Sequence, residues 1–378
     1  MLTVEKIDTA SKSQVHRFVG FPFQIYQNDP QWVPPLWVDI EAQLDRKKYP
    51  FYEHSDADFF LAVQDGRDVG RVAAIENRRF NQYHGTRKAQ FFFFESVDDQ
   101  AVANALFEAV FDWARPRGLD TLIGPKGLSV LDGYGLLIDG FQHRQMMSMM
   151  NHNPAYYVRL VESLGFTKEV DFISCYATTA AFRFPERLHR IAHRVEQRGV
   201  LRVQRFTSMR ELKAWAPRIG HAYNNTFIHN WEYYPLTERE VAFIVTTLET
   251  IADPTLIKII VHGEDVVGFL FAFPDVGLAI RRSNGRLFPF GLADILLEMR
   301  RTKWVAVNAA GVLPEFQGLG GNALLYSEME KTVRQRPGFK EAALYQVAET
   351  AVDMRRDLLD NLGGIAYKNH RVYTRAIP

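Results

Sequence analysis

The feature of this sequence that most restricts its fold is an internal repeat, because two copies of one pattern predict two copies of one domain. The stretches "FLAVQDGRDVGRVAAI" (60–75) and "IIVHGEDVVGFLFAF" (259–273) each join two apolar runs through a short Gly/Asp turn, which is typical of a β-hairpin. Their Val-Gly pairs lie 198 residues apart. "LVESLGF" (160–166) and "LLDNLGG" (358–364) repeat at the same offset, which favours a duplicated domain.

A third match occurs in the same order with a different spacing. The tripeptide "NAL" stands at 104–106 and again at 322–324, an offset of 218 residues. Compensating insertions explain the change, one around 276–302 in the second half and one around 119–152 in the first. The repeat therefore predicts a first domain over 1–180, a linking helix over 181–199 and a second domain over 200–378.

The hydrophobic periodicity predicts the same order of elements in both halves. In the first half we expect strands near 2–8, 89–95, 120–124 and 168–178, the hairpin at 58–76, and helices near 11–27, 36–46, 99–115 and 154–164. In the second half we expect strands at 200–206, 303–312, 341–347 and 365–375, the hairpin at 256–273, and helices at 208–226, 236–252, 318–335 and 351–362. This order predicts a mixed α/β protein with two similar domains, each a twisted, largely antiparallel mixed sheet flanked by helices.

Composition excludes several classes of protein. The formal net charge is +1, so no global field attracts the chain to nucleic acid or to a membrane surface. Cys175 is the single cysteine, which excludes an intrachain disulfide and fits a reducing compartment. The sequence has no signal-peptide pattern and no apolar run of about 18 residues, so we expect a cytoplasmic protein without a transmembrane segment. The 11 histidines show no metal-ligand spacing, and we assign no metal.

A glycine-rich loop stands between an apolar strand pattern and a helix pattern in the second half. Gly318, Gly320 and Gly321 lie directly before the predicted helix. The first backbone N–H groups of a helix have no internal partner, and glycine leaves room for a diphosphate to approach them. The loop lacks the Lys-Ser/Thr of a P-loop and the third glycine of a dinucleotide fold. It therefore indicates a phosphorylated cofactor, although the same glycines also suit a tight turn.

The stretch "VLPEFQGLGGNALL" (312–325) resembles the acetyl-CoA-binding motif of the GNAT acyltransferases. The element order of both halves is similar to that superfamily, so the chain resembles a tandem GNAT protein of the uncharacterised bacterial type. The resemblance implies acetyl-CoA, or another acyl-CoA, as co-substrate and no metal. It also implies that the strands at 303–312 and 341–347 diverge around the pantetheine arm. The residues implied for cofactor binding are Val312, Leu313, Gln317, Gly318, Leu319, Gly320, Gly321 and Asn322.

The "NAL" match shows that the first half lacks this loop. Residues 317–321 correspond to 99–103, where no glycine remains. Asp98 and Asp99 place negative charge at the helix start, where a carboxylate competes with a phosphate. We therefore predict that the first half binds no CoA and instead supports the acceptor side of the second.

The sequence offers few candidates for the chemistry. Glu349, after the strand at 341–347, is a candidate base that deprotonates the amine directly or through water, or else a helix cap. Asn308 is a candidate ligand of the acceptor or of the acyl carbonyl, with a structural strand-end hydrogen bond as the alternative. The resemblance implies a tyrosine acid where Leu359 stands and an asparagine where Ala351 stands, so the general acid is unassigned.

The predicted acceptor wall is the aromatic and acidic stretch "WEYY" at 231–234. Trp231, Glu232 and Tyr234 suit a cationic amine, with a structural aromatic cluster as the alternative. Four methionines, Met146, Met147, Met149 and Met150, suit an apolar channel or a core. Four arginines on the linking helix, at 187, 190, 194 and 198, suit either phosphate contacts or a solvated face.

We therefore expect an acyl-CoA-dependent N-acyltransferase with one working site in 200–378, acting on a small-molecule amine, with acetyl as the expected acyl group. A longer acyl chain is an alternative. A non-catalytic acyl-CoA-binding or regulatory protein is another, because the tyrosine and asparagine positions are missing. Transfer of an aminoacyl group from tRNA is disfavoured by the near-zero net charge. No nucleic-acid partner is expected, and a homodimer is possible on the sequence.

Overall fold

The computed structural model describes residues 1–146, 150–178, 184–336 and 338–378. The chain forms two compact units. Unit 1 comprises residues 1–173, 277–292 and 367–378, and unit 2 comprises residues 174–276 and 293–366. The predicted domains were defined by the internal repeat, and a division into compact units does not test them. Residues 179–183, at the first predicted boundary, lie outside the described residues. Met147 and Met149 also lie outside them.

The first half of the chain contains seven strands and six helices within the described residues. In chain order they are β1 (Leu2–Lys6), α1 (Lys12–Gly20), α2 (Pro22–Ile25), α3 (Trp37–Leu44), β2 (Asp56–Gln64), β3 (Arg67–Glu76), α4 (Arg78–His84), β4 (Lys88–Ser96), α5 (Gln100–Ala114), β5 (Thr121–Gly124), β6 (Leu136–Asp139), α6 (Tyr156–Glu162) and β7 (Thr167–Thr178).

The second half repeats this order with an insertion after its hairpin. Its elements are α7 (Glu186–Arg198), β8 (Arg202–Gln204), α8 (Met209–Thr226), α9 (Glu238–Leu248), β9 (Ile257–His262), β10 (Asp265–Pro274), α10 (Gly277–Arg282), α11 (Gly291–Arg301), β11 (Trp304–Val312), α12 (Gly321–Gln335), β12 (Glu341–Ala348), α13 (Val352–Arg356) and β13 (Ile365–Ala376). Helices α10 and α11 are the insertion, and together with α4 and β6 they were absent from the prediction. A π-helical turn over 357–361 replaces the end of the helix predicted at 351–362.

The strand order is the same in the two units. In unit 1 the neighbours run β1-β2-β3-β4-β5-β13, and in unit 2 they run β8-β9-β10-β11-β12. Each hairpin is antiparallel, whereas β4 pairs with β5 and β11 pairs with β12 in parallel. This mixed, largely antiparallel arrangement with flanking helices confirms the predicted fold class.

Each unit has its own apolar core against the helix that follows the hairpin sheet. In unit 1 the core lies between the sheet and the buried face of α5, which includes Val102, Leu106 and Val110 as the periodicity predicted. In unit 2 the corresponding core includes Leu324, Leu325 and Met329 of α12. The match of helical periodicity to burial explains why these two helices lie on their sheets.

Candidate functional site

The carboxyl end of β11 separates from β12 in unit 2. The two strands pair in parallel from Trp304 opposite Glu341 to Val307 opposite Leu344, and the pairing stops there. Strand β11 continues to Val312 and β12 continues to Ala348. The strands therefore diverge where the resemblance to the GNAT acyltransferases implied a gap for the pantetheine arm.

A bulge at Asn308 shapes the part of β11 that borders this gap. The register with β10 passes from Phe271 opposite Ala309 to Ala272 opposite Val307, so Asn308 is an extra residue in β11. Because of this bulge, the side chains of β11 do not alternate regularly between the two faces of the sheet along the strand. Beyond it the strand carries the half-buried small residues Ala309, Ala310 and Gly311, which leave backbone accessible along the open edge.

The loop after β11 folds back on the strand end. Gln317 Nε2 donates to the Val312 carbonyl oxygen at 3.2 Å, and Leu313 N donates to the Val267 carbonyl oxygen at 2.9 Å. Gly318 and Gly320 adopt left-handed conformations with φ of 77° and 86°, which favour glycine. Gly320 is the N-cap of α12 and offers no side-chain acceptor.

The start of α12 presents unused hydrogen-bond donors. Within the described parts of the chain, none of the amide groups from 318 to 323 donates to a protein acceptor, and the first helical bond is Leu324 N to the Gly320 carbonyl oxygen at 3.1 Å. Unpaired amides at a helix start, together with the helix dipole, suit a diphosphate. Because Asn322 and Leu319 are exposed, the donors lie at the protein surface.

Helix α7 packs directly against Gly320. A Cβ atom at position 320 would lie 2.8 Å from Cγ2 of Ile191 and 2.8 Å from Cγ2 of Val195, whereas a Cβ atom at position 318 would meet nothing within 4 Å. The missing side chain at Gly320 therefore makes room for α7. The sequence explained this glycine by phosphate access or by a tight turn, and the contact with α7 could not be inferred because it depends on the tertiary structure.

The two flanks of α7 differ in charge. His189 Nε2 lies 3.4 Å from Glu330, and Glu196 lies 3.3 Å from Lys331 Nζ, so one flank pairs with the later turns of α12. A helix turns by about 100° per residue, which puts the arginines of α7 on the opposite flank. These exposed arginines, none of which has an ionic partner in the described chain, are Arg187, Arg190, Arg194 and Arg198. Cationic side chains thus adjoin the start of α12.

The equivalent place in unit 1 is closed. Val97 N donates to the Val69 carbonyl oxygen at 3.0 Å, which is the counterpart of the Leu313 bond in unit 2, so Ser96 corresponds to Val312. Tyr157 Oη accepts from Ser96 N at 2.8 Å, and Tyr156 Oη donates to the Ser96 carbonyl oxygen at 2.8 Å. Both backbone groups that a pantetheine arm would need are therefore occupied by α6.

The start of α5 is also satisfied by the protein itself. Asp99 is the N-cap residue, and its carboxylate accepts from Ala101 N at 2.8 Å. Asp98 pairs with Arg159. These contacts support the prediction that the first half binds no CoA. The double tyrosine in "NPAYYVRL" was the sequence signal that could have indicated the closed strand end.

The candidate chemical residues lie on the two diverging strands of unit 2. Asn308 is the bulge residue of β11, and Glu349 is half-buried directly after β12. Ala351 is the N-cap residue of α13, and Glu349 lies two positions before it. Leu359 lies in the π-helical turn. The catalytic roles stay predictions.

The loop that contains the predicted acceptor wall follows α8, whose end lies beside β11. A Cβ atom at Gly311 would lie 2.3 Å from Cγ2 of Thr226 and 3.4 Å from the Phe227 ring, so the end of α8 covers the small residues of the strand. Asn224 fixes the following loop by two 2.9 Å hydrogen bonds with the backbone of Leu236. In that loop Trp231 and Glu232 are half-buried, and Tyr233 and Tyr234 are buried.

An aromatic cluster extends from this contact over β10. Tyr223 stacks on Phe269 with ring centroids 6.0 Å apart, Phe227 meets Phe269 edge-on at 5.6 Å, and Phe269 stacks on Phe271 at 4.6 Å. These rings form an apolar surface next to the bulged strand. The residues that the structure describes contain no group of three His, Cys, Asp or Glu side chains able to hold a metal. In the same described ranges, no helix has the length and apolarity needed to cross a bilayer.

Comparison with known proteins identifies the fold and the relatives. A tandem GNAT protein from the clavulanic acid biosynthesis pathway superposes with a TM-score of 0.58 at 12% identity, covering 100% of this chain and 99% of that one. A GCN5-related N-acetyltransferase from Sphaerobacter thermophilus superposes with a TM-score of 0.53 at 13% identity, covering 100% and 96%. These likenesses confirm the tandem GNAT fold.

Two relatives match along nearly the whole chain. The bacterial ceramide synthase of Caulobacter vibrioides is 30% identical over 377 residues, which is 98% of this chain and 97% of the relative. Protein YghO of Escherichia coli is 28% identical over 375 residues, which is 97% of this chain and 94% of the relative. No protein-family model matches the chain.

Proposed function

Because the chain has the tandem GNAT fold and belongs to the family of the Caulobacter bacterial ceramide synthase, we propose that it is an acyl-CoA-dependent N-acyltransferase that acylates a long-chain amino alcohol. A ceramide is the amide of a long-chain amino alcohol and a fatty acid, so the relative's name supplies the substrate class. The acyl group is then a long chain, the alternative to acetyl that the sequence left open.

The observation that carries the proposal is the contrast between the open end of β11 and its closed counterpart in unit 1. The amides of 318–323 and the arginine flank of α7 are suited to the phosphates of CoA. The diverging ends of β11 and β12 are suited to the pantetheine arm. The proposed cofactor residues are therefore Val312, Leu313 and 317–322, as the motif implied.

Acyl-CoA supplies the thioester carbon, at which an amide C–N bond forms while the C–S bond breaks. The ammonium form of the acceptor must lose a proton to become a nucleophile, and we assign its removal to Glu349, directly or through water. The nitrogen loses a second proton to solvent as the C–S bond breaks. Asn308 is assigned to hold the acyl or acceptor oxygen. The released thiolate takes its proton from solvent, since the tyrosine position holds Leu359.

The acceptor side is assigned to the aromatic surface beside Gly311. Tyr223, Phe227 and Phe271, which are half-buried around the fully buried Phe269, are assigned as an apolar wall for an alkyl chain. Trp231, Glu232 and Tyr234 are assigned to the cationic amine, because an acidic group flanked by aromatic rings attracts an ammonium ion. Holding both substrates in line contributes to the rate by removing the entropy of their encounter.

The test is a matrix of acyl-CoAs and amines. Purified protein is incubated with acetyl-CoA or with sixteen-carbon acyl-CoA and with either a long-chain amino alcohol or short amines, and the free thiol and the amide product are measured. We expect turnover only with the long acyl chain and the long-chain acceptor. Thermal stabilisation by acyl-CoA without turnover on any amine would instead favour the non-catalytic acyl-CoA-binding protein.

A further inference from the structure

The first part of the insertion, residues 277–292, belongs to unit 1 although it lies in the second half of the chain. Trp37 N donates to the Gly285 carbonyl oxygen at 2.9 Å, and Trp37 Nε1 donates to the Asn284 carbonyl oxygen at 3.1 Å. Arg281 donates to the Pro30 carbonyl oxygen. The equivalent place in the first half, between β3 and β4, holds the short helix α4, so the repeat alone does not require a segment of this length.

The tip of this insertion exposes two aromatic side chains. Phe288 is 75% exposed and Phe290 is 79% exposed, with Pro289 between them. Among the large apolar side chains of the described residues, only Met1 is more exposed. Two neighbouring phenylalanines that face water contribute nothing to the core, and leaving them there costs free energy unless another surface covers them.

The charges around the tip indicate what kind of surface covers the two phenylalanines. Residues 277–292 contain Arg281, Arg282 and Arg286 and no acidic residue, and the acidic residues of the insertion, Asp294 and Glu298, lie on α11. The Arg286 guanidinium lies over the Trp37 ring at 4.8 Å, and Trp37 stacks on Phe23 at 5.2 Å. An apolar tip backed by arginine and tryptophan is the arrangement in which rings enter the acyl region while cations contact lipid phosphates.

We propose that the tip formed by Phe288, Pro289 and Phe290 docks the protein on an anionic lipid bilayer. The docking rests on the exposed rings and their arginines and not on the proposed function. If the acceptor is a lipid, docking brings the protein to its substrate, because a long-chain amino alcohol and its amide both partition into membranes. Two rings and a few cations give reversible attachment, weaker than that of a spanning helix.

The test uses the full chain and vesicles of phosphatidylcholine with or without one third phosphatidylglycerol. We expect flotation with the anionic vesicles and little with the neutral ones. The double variant Phe288→Ser/Phe290→Ser should bind at least about tenfold more weakly, because it removes the apolar side chains that enter the bilayer. The matched variant Tyr83→Ser removes another exposed aromatic ring, 51% exposed on α4, and should bind as the wild type does.

A second readout tests insertion directly. Tryptophan placed by Phe288→Trp should be quenched by lipids brominated in the acyl chains, whereas tryptophan placed by Tyr83→Trp should not. Equal flotation of the wild type and the double variant, or no flotation of either, would overturn the proposal. A change of oligomeric state in the double variant, measured by sedimentation without lipid, would also overturn it and would assign the tip to self-association.

Discussion

The ends of β4 and β11 occupy equivalent positions in the two units, but they differ in burial, in side-chain size and in charge. Strand β4 reads "KAQFFFFES" and has Phe91–Phe94 buried, whereas β11 reads "WVAVNAAGV" and is half-buried from 307 to 311. Glu95 stands opposite Arg71 where Gly311 stands opposite Phe269. Duplication thus preserved the backbone pattern while one copy filled its opening with side chains.

The filled copy uses a polar network in place of a ligand. Tyr26 Oη and Tyr157 Oη donate to Glu95 at 2.6 and 2.8 Å, and Arg71, which is 3% exposed, lies 3.8 Å from the same carboxylate. Burial raises the pKa of Glu95 and lowers the pKa of Arg71. In unit 1, hydrogen bonds within the protein therefore take the place of hydrogen bonds to a ligand. Burying the carboxylate and the guanidinium costs desolvation free energy.

The largest expected effect is that of Glu95→Gln. Removing one partner leaves the Arg71 charge buried, so we expect unfolding to become easier by about 3 kcal/mol, measured by urea titration. CoA binding should persist under folding conditions, and its loss in a folded variant would contradict the assignment of unit 1 as closed.

Gly320→Ala should have the next largest effect. A Cβ atom there meets Ile191 and Val195 at 2.8 Å in a left-handed backbone, so we expect a loss of about 3 kcal/mol in unfolding free energy. The matched variant Gly318→Ala has the same backbone penalty in open space and should lose about 1 kcal/mol. Equal losses for the two variants would show that α7 does not pack as described.

Asn322→Glu should separate binding from stability. A carboxylate in the first turn of α12 repels a diphosphate, so CoA affinity should fall at least about tenfold in calorimetry. The same charge favours the helix dipole, so the melting temperature of the free protein should not fall. Asn322→Gln is the neutral control, and a similar affinity loss in it would argue against an electrostatic cause.

Asp99→Ala makes the reciprocal change in unit 1. The N-cap hydrogen bond to Ala101 N is lost, and stability should fall by about 1 kcal/mol. Affinity for CoA should not change, since unit 1 is assigned no cofactor. A gain of a second CoA site on titration would mean that the carboxylate alone had kept this helix start closed.

The smallest expected effect is that of Arg194→Gln. This arginine lies between Ile191 and Val195 along α7, on the flank without ionic partners in the described chain. We expect CoA affinity to fall about threefold and to depend less on salt, because one exposed charge contact is lost. Arg210→Gln, which removes an exposed arginine from α8, should leave affinity unchanged.

Periodicity and turn chemistry were enough to predict most elements. The two hairpins, the strands β4 and β11 and the helices α5 and α12 lie within a few residues of their predicted bounds, because each has a strong apolar period and a glycine or aspartate signal. The insertion at 277–301 was not predicted as helical, since α10 is short and α11 exposes Leu296 and Leu297.

The candidate site was predictable only where one segment contains it. The loop at 317–322 is local, so its glycines and the following helix could be inferred from the sequence. The contact of α7 with Gly320 joins residues more than a hundred positions apart, and the contacts of Tyr156 and Tyr157 with Ser96 join two separate elements. Such pairings leave no periodic signal, so the closed strand end of unit 1 could not be predicted from charge alone.

The packing of α7 on Gly320 affects which residues should be used to recognise relatives of this protein from their sequences. We expect relatives to keep this glycine for internal fit even where catalysis has been lost, because any larger residue would displace a helix. The side of Gly318 is open, so only its left-handed backbone favours glycine there, and we expect more variation at that position once the cofactor is no longer used.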